Sequence, residues 1–234
     1  MIREKTVWML LMFVLVLPLL AGCAPSLKAK SVDVNKAFLV DPAVLKPGTG
    51  DQSLYRYQNP NMDFKKYTKV IVDPVILYNE AAVEGATREN YQKLANNAFV
   101  YIVDEMRKDY TIAKEPGPDT LRIQFAIVDA QKAAPVRNFL TTFMPPGIAV
   151  STVKYAATGK PAAVGEITAE VKMTDSGTGQ LIGAALDRRV GGKTLGGAFD
   201  TWEGADSAVQ YWAKRIRYIM CETRGGKGCL EIKP

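Results

Sequence analysis

Apolar side chains at Tyr91, Leu94, Ala95, Ala98, Phe99, Ile102, Val103 and Met106 recur at three- and four-residue steps, which predicts an amphipathic helix after Thr87. A second stripe, Ala205, Ala208, Val209, Trp212, Ala213, Ile216 and Met220, predicts another. Asp200 and Glu203 have the spacing of a capping box at its start, and Lys214, Arg215 and Arg217 fall towards its negative C-terminal end. Between the two stripes the period changes to two. Leu121, Ile123, Phe125 and Ile127 alternate with Arg122, Gln124, Ala126 and Val128, and Ile167, Ala169, Val171 and Met173 alternate with Glu166, Thr168, Glu170 and Lys172. Each set predicts a strand with one apolar face. The turn residues from Asp175 to Gln180 lead into Leu181–Val190, so the last two strands read as a hairpin.

Lys69–Leu77 is rich in β-formers, but Pro74 cannot donate to a ladder, so this is an edge strand or one broken after Asp73. Tyr110–Ala113 reads as a short strand before the turn at Pro116–Asp119. Gln131–Gly165, interrupted by Pro135, Pro145, Pro146 and Pro161, reads as a long excursion from the sheet. The order is strand, helix, strand, strand, excursion, strand, strand, helix. With one apolar stripe per helix, the economical packing is an α+β sandwich: a mainly antiparallel sheet with both helices on one face.

The N-terminus follows a different pattern. Arg3 and Lys5 precede an uncharged run, Val7–Leu20, which is shorter than the ~20 residues needed to span a bilayer and is broken by Pro18. Leu20-Ala21-Gly22-Cys23 resembles the bacterial lipobox, in which the cysteine is acylated after the signal is cut away. That resemblance makes residues 1–22 an export signal and Cys23 the lipid-bearing first residue. Ala24, in place of the aspartate of inner-membrane retention signals, points to the outer membrane, with the domain in the periplasm. Residues 23–37 lack periodicity and read as a flexible, lipid-anchored tether of roughly 20 Å, and residues 38–234 as a single domain. Removing 1–22 from the 234 residues leaves 212, enough for one sizeable core.

Net charge is +6, and the basic residues are scattered rather than gathered into a run, so nucleic acid is not an expected partner. Beyond Cys23 there are two cysteines, Cys221 and Cys229, across a glycine-rich loop. An oxidising compartment favours their pairing, with two free thiols as the alternative.

The chain contains no histidine. Ser-His-Asp and Cys-His hydrolysis are thereby excluded, and a zinc site is improbable. Gly192-Lys193-Thr194 matches the end of a phosphate-binding loop, but Asp187 stands where its first glycine is required. Ser151 and Lys154 fit the S-x-x-K of penicillin-interacting enzymes; Leu195 replaces the glycine of K-T-G and no S-D-N follows, so the match is attributed to chance. Asp175, Asp187, Asp200, Glu203 and Asp206 are the candidates for a carboxylate pair, against the simpler roles of turns, caps and ion pairs. Trp202 and Trp212 read as core anchors. No cofactor- or metal-binding pattern is found.

The stretch Tyr55–Val75, with Phe38-Leu39 and Leu45–Gly48 before it, resembles the bacterial lipoprotein family known as domain of unknown function 3313. Further on, the Asp175–Leu181 hairpin leading to Arg189 and the final helix with Trp202, Tyr211, Trp212 and Ala213 resemble it too, so the likeness spans about Phe38–Met220. It implies a family and no activity. The reading that follows is a non-enzymatic envelope lipoprotein: an adaptor tied to the membrane through Cys23, with an envelope protein or peptidoglycan as partner. The alternative is a histidine-free enzyme acting on glycan or peptide through paired carboxylates, to be judged by whether two carboxyl groups face each other across a cleft at roughly 5–10 Å.

Overall fold

The computed structural model describes residues 26–78, 85–131, 166–190 and 202–232. Cys23, Asp200, most of the Gln131–Gly165 excursion and the near-motifs at 151–154 and 192–194 lie outside these. Helix α1 (Gly85–Met106) buries Leu94, Ala95, Ala98, Ile102, Val103 and Met106 of the expected stripe, while Phe99 faces outward. Helix α2 (Glu203–Thr223) buries its whole apolar stripe, and Arg215 with it. The two pack side by side on one sheet face, α1 over β4 (Lys69–Val72), β5 (Ile76–Leu77) and β6 (Thr111–Ile112), α2 over β8 (Glu166–Asp175) and β9 (Leu181–Val190). Asp206 joins them, accepting from Asn97, Tyr101 and Gln210.

The sheet runs β2 (Lys46–Pro47), β3 (Tyr55–Gln58), β9, β8, β7 (Thr120–Gln131), β4, β6; β1 (Leu27–Lys28) adds to β9 and β5 to β7. It is α+β as expected, but mixed rather than mainly antiparallel. β4 is parallel to both β6 and β7, and β5 is parallel to β7. The reason is the crossover: a 22-residue helix returns the chain to the end it left, so the strand after it runs parallel to the strand before. Lys69–Leu77 is interrupted after Asp73, as Pro74 requires, yet β4 lies inside the sheet, not at its edge. The β7–β8–β9 centre is antiparallel, with the expected hairpin at Ser176–Gln180.

Three local expectations are corrected. Trp202 is the cap residue of α2 and makes no side-chain cap bond, so Glu203 opens the helix instead of sitting at the third position of a capping box. Lys214, Arg215 and Arg217 precede the last turn, beyond the reach of the helix-end charge. Arg215 and Arg217 instead pair with Asp51 and Asp109.

The third correction concerns the tether. Residues 26–37 are part of the body: β1 pairs with β9, and Ser26, Ala29, Val32 and Ala37 are buried. With Leu45 this segment covers the sheet face opposite the helices, over Val128, Ala184 and Leu186. Its backbone advances through short 3-10 turns at Val34–Lys36 and Pro42–Val44, each opened by an aspartate (Asp33, Asp41) that accepts from the amide two residues on. The covered face carries Glu170, fully buried, whose Oε2 accepts from the Phe38 and Leu39 amides at 2.8 and 3.0 Å and whose Oε1 accepts from Val40 at 3.1 Å. One carboxylate thus holds three consecutive amides of the cover against the central strand.

Cys221 and Cys229 form a disulfide that folds the C-terminal tail back on the last turn of α2. Gly226 sits where a Cβ would lie 2.7 Å from the Cys221 sulfur, so glycine is required there. A loop of this length contributes about 2.5 kcal/mol by chain entropy. Replacing both cysteines by serine is expected to speed amide hydrogen exchange across 221–230 while β7–β9 keep their protection.

Candidate functional site

A cavity of about 300 Å³ opens between the C-terminal half of α2 and the β3–β9–β8 side of the sheet. The register explains it. Arg56 pairs with Ala185 and Ala185 with Val171, while Gln58 pairs with Gly183 and Gly183 with Met173. The row facing α2 therefore reaches β9 at two small residues, and the helix does not descend to fill the space. Val171, Met173, Ile219 and Met220 stand among the apolar lining, and Asp51, Ser53, Arg56 and Glu222 among the polar lining.

Arg215 forms part of the wall. Its Nη2 donates to Asp51 Oδ2 at 2.7 Å and its guanidinium lies 4.9 Å from the Tyr218 ring centre. Its side chain is 9% exposed, and Nη1, buried, has no hydrogen-bond partner among the described residues. A buried N–H left unsatisfied costs roughly 1–3 kcal/mol, more when charged.

Deeper in, Asp187 accepts from the Trp212 indole N–H at 2.8 Å and the Leu54 amide at 3.1 Å. Burial pushes its carboxyl above the ordinary value, and those two donors oppose the rise. Arg189, 1% exposed, stacks on Tyr211 at 3.5 Å from the ring centre. Its Nε donates to Ser26 Oγ at 2.9 Å, and Nη2 to the Ser26 carbonyl. Burial depresses its pKa, against the pull of Tyr211 and Asp187.

The described carboxylates among those proposed from sequence are dispersed. Asp175 is at the hairpin turn, where it accepts from Lys66, Tyr67, Gly177 and Thr178. Asp187 lies under Trp212, Asp206 between the helices, and Glu203 at the start of α2. Among the described residues no cluster of three metal-ligating side chains occurs, and no helix is long and apolar enough to cross a membrane.

Residues 35–216 match DUF3313, a family described as of unknown function. The chain belongs to the DUF3313 family. No curated protein matches it. Among solved structures, this DUF3313 chain is similar to the PelC dodecamer of Paraburkholderia phytofirmans, at 11% identity over 66% of this chain and 90% of that one, with a TM-score of 0.38. It is similar to a DUF330 protein of Xanthomonas campestris at 9% identity, 72% and 92% coverage and a TM-score of 0.39. A DUF4136 protein of Bacteroides thetaiotaomicron gives 12%, 73%, 95% and 0.35.

Glu170, Arg189 and Arg215, the charged groups buried most consequentially in this DUF3313 protein, were not singled out as candidates for a site. Strand alternation assigns Glu170 to a solvated face, and only the cover of residues 26–45 makes that face interior. The repeated aspartates opening Asp33–Lys36, Asp41–Val44 and Asp63–Lys66 were the available sign that the N-terminal region is structured.

Proposed function

We propose that this protein is a cell-envelope adaptor that is acylated at Cys23, held on the outer membrane with its domain in the periplasm, and acts by binding another envelope component. The observation that carries the binding role is the cavity beside α2, with an apolar lining walled on one side by Arg215. Such a site favours an apolar group, as a side chain of a partner protein would supply. Of the carboxylates on the cavity wall, Asp187 accepts on each oxygen and Asp51 accepts from Arg215, roles that serve packing and positioning.

Gly183→Val is the direct test. A Cβ at Gly183 would meet nothing closer than the Tyr57 carbonyl oxygen at 3.6 Å, and Gly183 lines the cavity, so valine there is expected to fold and to fill part of it. A photo-crosslinking residue at Ser53, on the cavity lining, is expected to capture one envelope protein reproducibly in intact cells, and Gly183→Val to abolish that product with an unchanged melting temperature. Failure to capture any reproducible partner, or capture that survives Gly183→Val, would reject the cavity as the contact site.

A further inference from the structure

Arg56 and Arg215 both line the cavity beside α2, and they differ in what they hold. Arg215 Nη2 donates to Asp51 Oδ2 at 2.7 Å, so its charge is met by a carboxylate. Arg56, half-buried on β3, donates from Nη2 to Gln58 Oε1, a neutral acceptor, and makes no ion pair among the described residues. In the free protein water solvates that guanidinium. A partner seated over the cavity displaces the water, and the charge then needs an oxyanion.

The register fixes where this charge stands relative to the cavity floor. Arg56 pairs with Ala185 and Gln58 with Gly183, so Arg56 and Gly183 belong to neighbouring rows, about 7 Å apart along the strands. Side chains two positions apart in an extended peptide share a face and have the same spacing. In a segment lying along β3, an apolar side chain seated over Gly183, between Met173 and Ile219, therefore puts the side chain two positions away beside Arg56. Charge on the opposite wall sets the direction. Trp212 marks the Asp187 end of α2 through its indole N–H, and Glu222, exposed, lies almost three turns further on, about 15 Å. Arg56 and Arg215 thus stand towards one end of the cavity and Glu222 towards the other, so an acidic group is attracted at the first and repelled at the second.

We propose that the segment this protein binds is an acidic one: it carries a large apolar side chain for the cavity and, two positions from it, an aspartate or glutamate that pairs with Arg56. The proposal rests on the cavity being the contact site, and it makes Arg56 the residue that decides which apolar segments are accepted. A planar guanidinium fork matches the two oxygens of a carboxylate, and the bond from Gln58 holds that fork on the cavity lining.

The test is selection of a displayed random heptapeptide library on the chain from Cys23 to Pro234, which retains every described residue. The chain is immobilised through the Cys23 thiol, since Cys221 and Cys229 are joined to each other. Wild-type protein is expected to enrich peptides with leucine, isoleucine, methionine or phenylalanine and an acidic residue two positions away. Arg56→Glu should keep the apolar residue and exchange the acid for lysine or arginine. Arg56→Gln should bind a peptide selected on the wild type about fivefold more weakly. Both variants are expected to keep the wild-type melting temperature, because the Arg56 side chain reaches solvent; should Arg56→Glu fail to fold, Arg56→Gln decides. Apolar peptides enriched without a charge preference, or the same acidic peptides enriched on Arg56→Glu, or an unchanged affinity in Arg56→Gln, would overturn the role of Arg56; the cavity would stand as the contact site provided Gly183→Val abolishes the enrichment. If no peptide is enriched, or enrichment survives Gly183→Val, the cavity reading itself falls and this proposal with it.

Discussion

Glu170→Gln, a change of one atom, is expected to destabilise the domain by about 2–4 kcal/mol, or roughly 5–15 °C in melting temperature. The carboxylate has two acceptor oxygens facing three backbone donors, Phe38, Leu39 and Val40. An amide has one oxygen, so its NH₂ group must point at one or two of those N–H groups. Donors then face donors in a position with no solvent access. Glu170→Ala removes all three bonds and leaves a void, and should cost more, about 4–5 kcal/mol. Urea denaturation measures the loss. Hydrogen exchange locates it, because amides 38–40 are expected to exchange much faster in either variant. A loss below about 1 kcal/mol for Glu170→Gln would mean that the cover does not depend on this carboxylate.

Asp175→Asn should produce the second large effect, about 2–4 kcal/mol at neutral pH. Asp175 Oδ1 accepts from the Gly177 and Thr178 amides at 3.1 and 3.0 Å, and Oδ2 from Lys66 at 2.7 Å and the Tyr67 hydroxyl at 2.8 Å. It therefore shapes the β8–β9 turn and ties it to the segment before β4. Lys66 is 42% exposed, so most of the effect belongs to the tyrosine and the amides. Burial by itself would raise the carboxyl; Lys66, Tyr67 and Thr178 outweigh it and hold the group well below the usual carboxylate value. Tyr67, raised to about 12 by burial first and by Asp175 second, remains protonated and donates. With the folded pKa depressed below the ordinary 3.8, the stabilisation is fully present above that value and is lost as pH falls through the folded pKa. The wild type and Asp175→Asn should thus differ most at neutral pH, and their urea midpoints should converge as acid is added below about pH 4. A difference independent of pH would assign the effect to shape rather than charge.

Both sites lie in elements whose existence was legible in the sequence. The stripes through Leu94, Ala98, Ile102 and Met106, and through Val209, Trp212, Ile216 and Met220, announce helices because an apolar face at a 3.6-residue period has to be buried. The alternation in β7 and β8 announces strands for the same reason. The pairing direction of β4 was less legible, because parallel neighbours are set by where α1 delivers the chain and not by any residue within the strand. The cover over the second sheet face was least legible. Val32, Val34, Ala37, Val40, Val44 and Leu45 contribute single apolar contacts from irregular backbone, with no period for a pattern to reveal. For that reason Glu170 resembled a solvated strand residue and residues 23–37 a free leash. The cavity depended on Gly183 and Ala185 facing α2, and small residues carry no signal that distinguishes a vacancy from close packing.

Residues 26–37 belong to the packed body, which bears on how a soluble form should be prepared. A truncation starting at Phe38 retains every long helix and strand, yet strips Ser26 from Arg189 and removes Val32, Val34 and Ala37 from the lid over Val128, Ala184 and Leu186. Such a product would carry a partly uncovered greasy sheet and an orphaned cation, and is expected to aggregate more readily than a chain that begins at or before Ser26.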